Sequence, residues 1–255
     1  MIKLEKITAG YGDHVVLQDL SATFEKNCLT SIVGVNGCGK STLLKTILNM
    51  VPLQSGEVTI DGTSLHAMSR RAIAQKLAYL AQEKSTPDMT VEQMVLHGRF
   101  PYLSYPRRYT ARDREIVLAA MEQVGIGNIA HKRMQTLSGG MRQDAYIAMA
   151  LAQRTDYILM DEPTTFLDIA HQLRLMKTLR NLADNGKGIV TVMHDLPMAF
   201  AFSDRILLLH NGRVACCDTP QNICRQGILE EIFGITIVES DDGQSYHYRY
   251  GSMGK

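Results

Sequence analysis

One eight-residue string constrains this chain more than any other feature. Gly34-Val35-Asn36-Gly37-Cys38-Gly39-Lys40-Ser41 fits GxxxxGK[ST], with the apolar run Ser31-Ile32-Val33 before it and the helix-forming run 42–48 (TLLKTIL) after it. A strand, a glycine turn and a helix in that order let backbone N–H groups wrap phosphate oxygens while the helix turns its positive end toward them. In such a loop Lys40 reaches the β- and γ-phosphates and Ser41 ligates Mg²⁺. Val35, Asn36, Cys38 and Thr42 complete the cradle around Gly34, Gly37 and Gly39.

Tyr157-Ile158-Leu159-Met160-Asp161-Glu162 supplies a second half, an apolar strand ending in two carboxylates. At a strand end the chain turns, so both can face a nucleotide at the C-terminal edge of a sheet. Asp161 suits the Mg²⁺ shell, and Glu162 suits a base or polariser for an attacking water. Leu137-Ser138-Gly139-Gly140 is a further anion-binding turn at a helix start. One nucleotide's phosphates are already held by residues 34–41, so a second nest points to a second chain's nucleotide.

The rest of the pattern predicts an α/β fold. Residues 2–7 and 15–24 alternate apolar with polar, and 57–60 runs into Asp61-Gly62, which reads as an N-terminal antiparallel β region. The continuous apolar runs 29–33, 77–81, 157–160, 189–193 and 206–209 fit strands buried on both faces of a parallel sheet. Between Gln82 and Thr155 the period becomes helical. Thr90-Val91-Glu92-Gln93 reads as a capping box for a helix through Leu96. Thr110 caps a second helix, with Val117, Ala120, Met121 and Val124 on one face and Gly125 as its stop, and a third runs over about 138–153. These helices are expected to form a subdomain inserted at about 84–154, with Pro87 and 154–156 near the hinges and 100–109 as a loop. After Asp241-Asp242-Gly243 the alternation returns, so a C-terminal hairpin beginning near Ile235 is expected, followed by a tail at 251–255.

Composition removes other classes. The 27 Lys+Arg against 26 Asp+Glu leave a formal charge of +1, no field for a polyanion. The longest stretch free of Asp, Glu, Lys and Arg is 13 residues, between Lys26 and Lys40, short of the roughly 20 apolar residues that span a bilayer. The start, MIKLEKITAG, carries Glu5 and no apolar h-region, so the cytoplasm is the expected compartment. Cys28, Cys38, Cys216, Cys217 and Cys224 lack metal spacing and read as reduced thiols. Cys38 has two readings: a thiol activated by Lys40 and the loop dipoles, or a buried inert one. Arg107, Arg108, Arg112 and Arg114 read as a solvated face.

In this order the motifs resemble the ABC ATPase family over about residues 1–220, within a single nucleotide-binding domain of 1–250. The resemblance implies ATP and Mg²⁺ as cofactors and two copies packed head to tail. The Ser138, Gly139 and Gly140 segment of one would cap the ATP held by the other. It further implies that Tyr11 stacks on adenine, Gln82 is the Q-loop residue beside the metal, Asp168 belongs to the D-loop, and His194 is the switch histidine near the γ-phosphate. Catalysis would then rest on Glu162, His194 and Gln82, and the metal on Ser41, Gln82 and Asp161. Thr164-Thr165-Phe166-Leu167-Asp168-Ile169-Ala170-His171-Gln172 and Leu96-His97-Gly98-Arg99-Phe100-Pro101-Tyr102 look like the ATPase subunits of importers for iron-siderophores, haem and cobalamin. Such a subunit works as a homodimer, peripheral on the cytoplasmic face of the membrane. It binds integral permease subunits and acts through them with an external substrate-binding protein, without nucleic acid. A groove beside the stripe Met89, Met94 and Leu96 would receive a short permease helix. The alternative is a non-transport ABC ATPase acting on nucleic acid or translation. Against it stand the single nucleotide-binding domain, the lack of a long coiled-coil insert and the lack of basic excess. Two positions depart from the family pattern: Met141 stands where Gln is usual and Asp144 where a basic residue is usual. If both flank the partner's nucleotide, Met141→Gln and Asp144→Arg should raise turnover, and a non-hydrolysing regulatory module becomes a third reading.

Overall fold

The computed structural model describes residues 1–82, 86–240 and 245–250. In chain order the first half holds β1 (Ile2–Tyr11), β2 (His14–Phe24), β3 (Cys28–Val33), α1 (Lys40–Ile47), β4 (Leu53–Ile60), β5 (Thr63–Ser64), α2 (Arg70–Lys76) and β6 (Leu77–Leu80). Then come α3 (Val91–Leu96), α4 (Ala111–Val124), α5 (Gly139–Ala152), β7 (Tyr157–Asp161), α6 (Ile169–Asp184), β8 (Gly188–Val192), α7 (Leu196–Phe202) and β9 (Arg205–His210). The chain closes with β10 (Arg213–Asp218), α8 (Pro220–Arg225), α9 (Ile228–Phe233), β11 (Ile235–Glu239) and β12 (Tyr246–Tyr250). The expected C-terminal hairpin is the β11–β12 pair. Its turn at Asp241-Asp242-Gly243, the insert boundary near residue 84 and the tail 251–255 lie outside the described residues.

Two sheets carry the fold. The alternating N-terminal segments form an antiparallel sheet ordered β2-β1-β4-β5. The continuous apolar runs form a second sheet ordered β10-β9-β3-β8-β7-β6, parallel from β9 to β6, with β10 antiparallel at its edge. Every residue of β3, β7 and β8 is buried, because both faces of the sheet are covered. Alternation sorts the side chains. Ile32, Leu159, Val190, Leu207 and Leu209 join Leu43, Leu44 and Ile47 of α1 and the inner face of the antiparallel sheet. Leu29, Ile158, Met160, Ile189, Ile206 and Leu208 meet α5, α6 and α7 on the other side. Each fully buried Leu or Ile contributes about 1.5–3 kcal/mol of apolar transfer, so this double covering is what stabilises the parallel sheet.

The helical stretch starts and stops where its local chemistry directs. Thr90 with Gln93 and Thr110 with Asp113 both form reciprocal capping boxes, and Gly125 ends α4 in the left-handed region at φ 78°. Val91, Val95, Val117 and Met121 share one apolar core with α5 and with Leu29 and Val33 of the sheet. The expected loop at 100–109 is partly ordered instead: His97–Tyr102 forms a 3₁₀ segment. Arg99 explains the order, since its buried guanidinium donates to Asp113 Oδ1 at 3.0 Å and to the Ala152 carbonyl at 2.8 Å. Arg107, Arg108, Arg112 and Arg114 are exposed, with Arg112 paired to Glu115 and Arg114 to Glu92.

At the far end of the sheets, Asp61 after β4 ties the layers together. It accepts from the Met1 ammonium at 2.6 Å, from Tyr157 Oη of β7 at 3.1 Å and from Lys76 Nζ of α2 at 3.2 Å. Burial disfavours its ionised form, yet these donors outweigh burial and hold the carboxyl at about 2, below the ordinary 3.8. The lowered value means the contribution is complete above about pH 4 and fades as pH falls toward 2. Asp61→Asn should therefore destabilise the chain by about 1 kcal/mol in urea titrations at pH 7, after allowance for solvent screening. The gap to wild type should narrow between pH 5 and pH 3; an equal gap at both would remove Asp61 from this role.

Candidate active site

The predicted phosphate loop leaves β3 and enters α1 as a tight glycine turn. A Cβ on Gly34 would stand 2.2 Å from the Leu209 carbonyl oxygen of β9, so only glycine lets the loop lie against that strand. Gly37 and Gly39 take left-handed φ values of 78° and 107°, and Gly39 opens α1 without any side-chain cap. The start of α1 is thus a seat for an anion. Lys40 is buried, and its Nζ donates to the carbonyls of Gly34 at 2.8 Å and Val35 at 3.1 Å. Phosphate oxygens are stronger, charge-assisted acceptors than these carbonyls, so they can draw Lys40 off its own loop.

The carboxylates arrive from β7. Asp161 is buried, accepting from Ser41 Oγ at 2.9 Å and from Tyr79 Oη at 3.5 Å. Burial holds its carboxyl above the usual range, with the Glu162 charge adding to burial and the Ser41 hydrogen bond opposing it. Glu162 follows at φ 50°, in the left-handed region that a non-glycine residue rarely adopts. One Glu162 oxygen accepts from Gln82 Nε2 at 2.6 Å and from Thr165 Oγ1 at 3.3 Å, and the other meets His194 Nε2. Gln82 comes from beyond β6, Glu162 from just beyond β7 and His194 from beyond β8, so three neighbouring strand ends converge on one carboxylate.

A cleft of about 500 Å³ lies between this group and the loop. Asn36, Gly37, Gly39, Lys40, Ser41 and Thr42 form one wall and Gln82, Glu162 and His194 the other. Val16 of β2 closes the end; no motif marks it, and only the packing of the antiparallel sheet beside the loop brings it there. Gly34 and Val35 also border a second cleft that His194 shares. Cys38 is buried, and desolvation raises its pKa against the pull of Lys40 and the loop amides, which favours the inert thiol of the two readings.

Several predicted residues stand elsewhere. Tyr11, half exposed at the end of β1, does not line the cleft. Neither do Ser138, Gly139, Gly140 and Asp168. These form their own group: Ser138 caps α5 by accepting from the Met141 amide at 3.3 Å, and Asp168 caps α6 by accepting from the His171 amide at 2.9 Å. The departures Met141 and Asp144 are both partly buried. Met141 packs against the main apolar core. The half-buried Asp144 carboxyl lies in the field of Arg174 and His171 of α6.

Comparison with known proteins follows the same residues. A family model described as ABC transporter matches residues 17–165, a span that takes in the phosphate loop, the 138–140 turn and both carboxylates. The chain belongs to the ABC transporter family. It is 40% identical over 236 residues to the iron(3+)-hydroxamate import ATP-binding protein FhuC of Bacillus subtilis, covering 92% of this chain and 88% of that one. It is 38% identical over 240 residues to the ferric enterobactin transport ATP-binding protein FepC of Escherichia coli, covering 93% and 89%. Among solved structures, an inward-facing ABC transporter of metal-chelate type superposes with a TM-score of 0.85 at 24% identity over 99% of this chain and 98% of that one. The dimeric ABC transporter cassette MJ0796 gives 0.74 at 27% identity over 86% and 99%. As an ABC ATPase this chain is an ATP-hydrolysing enzyme.

Restoring a basic residue at position 144 carries a stability cost that the surroundings of Asp144 set. Burial lifts the Asp144 pKa more than Arg174 and His171 lower it, so the ionised carboxylate subtracts stability at neutral pH and stops doing so once protonated. Asp144→Asn should raise Tm by about 2 °C at pH 7, with the gain shrinking toward pH 4. Asp144→Arg, which sets a guanidinium beside Arg174 and His171, should lower Tm, and Met141→Gln should leave turnover unimproved. A rise in turnover for either variant would return these side chains to the nucleotide.

Proposed function

We propose that this chain is the ATPase subunit of an ABC importer for iron-siderophore, haem or cobalamin type compounds, working as a head-to-tail dimer on the cytoplasmic face of the membrane. The observation that carries the reading is Glu162, held by Gln82 and His194 across a cleft from the phosphate loop. A carboxylate fixed on both oxygens is aimed, not floating, and it can accept the proton of a water positioned in line with the γ-phosphate. Gln82 orients that water and His194 meets the γ-phosphate. Lys40 takes the β- and γ-oxygens, Tyr11 swings onto the adenine, and the loop amides hold the remaining charge.

Mg²⁺ fits the neighbouring donors. Ser41 Oγ and Asp161 Oδ1 are hard oxygen ligands only 2.9 Å apart, with Gln82 at the same cleft, and a buried carboxyl whose ionisation is disfavoured is relieved by a divalent charge. When bound, the ion would neutralise charge on the β- and γ-phosphate oxygens. Ser138, Gly139, Gly140 and Asp168 do not line the cleft of one copy; on the head-to-tail reading they serve the nucleotide of a second copy. The dimeric MJ0796 cassette supports that arrangement.

The import reading draws on FhuC and FepC, whose names describe iron(3+)-hydroxamate import and ferric enterobactin transport. None of the described helices is long and apolar enough to cross a membrane, so attachment falls to permease subunits, which in turn meet an external substrate-binding protein. Their docking place is a groove of about 670 Å³ between α2 and the 3₁₀ segment, where Met50 and Phe100 are exposed beside Ile73, Tyr79 and Met149. The expected stripe does not line it: Leu96 is buried, and Met89 and Met94 pack against the core. Nothing in the comparisons favours the nucleic-acid alternative.

Glu162→Gln should retain ATP binding and lower turnover at least about 10²-fold, with an ATP-bound dimer accumulating on a sizing column. Hydrolysis at the parent rate would overturn the role of Glu162. Lys40→Ala removes the phosphate-seeking charge, and titration with a fluorescent ATP analogue should find weaker binding. Pull-down of the tagged chain from detergent-solubilised membrane should bring a polytopic permease with it; recovery of ribosomes or nucleic acid instead would favour the rival.

A further inference from the structure

The 138–140 turn and Asp168 belong to different helices, yet one side chain touches both. His171 lies in the first turn of α6, and its Nδ1 meets Asp168 Oδ2 at 2.8 Å, beyond the backbone cap that its own amide gives Asp168 Oδ1. On the other side the imidazole presses on Gly140, where a Cβ would stand 2.3 Å from Cδ2 and 2.5 Å from Nε2 of the ring. Gly140 is an ordinary helical residue without positive φ. Its backbone conformation therefore does not demand glycine, and the nearest atoms a Cβ would meet all belong to this ring, which would have to shift to admit one. An Asp cap likewise needs only a backbone N–H, so the second bond to the imidazole is not required to start α6.

We propose that His171 is a positioning residue that locks the 138–140 turn to Asp168, so that both reach the nucleotide of a second copy as one preformed surface. The proposal rests on the two-copy reading given above. Pre-organisation acts on association, because groups already ordered need not be ordered when the copies close. The cleft that binds ATP in a single copy contains neither His171 nor its two partners, so nucleotide affinity of the lone chain is a readout that the lock leaves untouched.

The test uses the full chain carrying Glu162→Gln, with ATP-driven dimerisation followed by analytical ultracentrifugation and single-copy ATP affinity by fluorescence. His171→Ala should weaken dimerisation about tenfold while ATP affinity stays within twofold. His171→Asn, whose amide can donate from the place of Nδ1, should recover most of the loss. Gly140→Ala should be severely impaired, and adding His171→Ala to it should improve dimerisation, since the new methyl then has room. A residue needed only for folding would lower Tm and ATP affinity together and give no such rescue. Wild-type dimerisation by His171→Ala, or no gain when His171→Ala is added to Gly140→Ala, overturns the lock. Ser138→Arg separates the two claims. If it blocks dimerisation while His171→Ala does not, the lock alone fails; if it leaves dimerisation intact, the two-copy reading fails and the lock with it.

Discussion

Everything at the active site depends on the strands of the central sheet running parallel. Because β6, β7, β8 and β3 all point the same way, their C-terminal ends open at one edge, and Gln82, Asp161, Glu162, His194 and the glycine loop are delivered there by four separate segments. An antiparallel pairing anywhere in that set would carry one of these groups to the far end. Parallel order is stable here only because both faces are covered, by α1 with the antiparallel sheet on one side and by α5, α6 and α7 on the other. The packing that buries Ile32 and Val190 is thus the same packing that aims Glu162.

A single copy holds two groups of motif residues that do not meet. One is the cleft at the sheet edge, where Lys40 rests on its own loop carbonyls and Glu162 is clamped by Gln82 and His194. The other is the joined start of α5 and α6, where Ser138 and Asp168 are presented with His171 between. In the proposed dimer, two copies in opposite orientation would bring the two groups face to face twice, with ATP as part of the joint. On this account binding of ATP supplies the closing force and hydrolysis removes it, which is how a chain without a membrane-spanning helix among its described residues can work a permease.

The parts of this arrangement that were legible in the sequence are those written in local chemistry. The phosphate loop announces itself because no other turn needs glycines and a lysine at that spacing, and the capping boxes at Thr90 and Thr110 are short-range bonds within four residues. Buried strands showed through their unbroken apolar runs. α6 escaped notice although Asp168 caps it and Leu175, Met176, Leu179 and Leu182 keep a helical period; the signal was present beside a louder motif. α2 and α7, seven residues each, are too short to show a period. The surroundings of Asp144 were illegible for a different reason. A residue type at a family position says which chemistry is missing, but its neighbours Arg174 and His171 come from another helix, and only the packing of α6 on α5 shows what the carboxylate faces. Val16 and the ring of His171 against Gly140 are likewise products of tertiary approach.

The central claim is that no copy of this chain hydrolyses ATP alone. The most direct measurement is the ATPase rate per chain at saturating Mg-ATP over a wide range of chain concentration. If each catalytic centre is completed by the Ser138 turn of a second copy, the rate per chain must climb with concentration and level off once dimers dominate. A rate per chain that stays constant down to high dilution, where only single copies exist, would contradict the account.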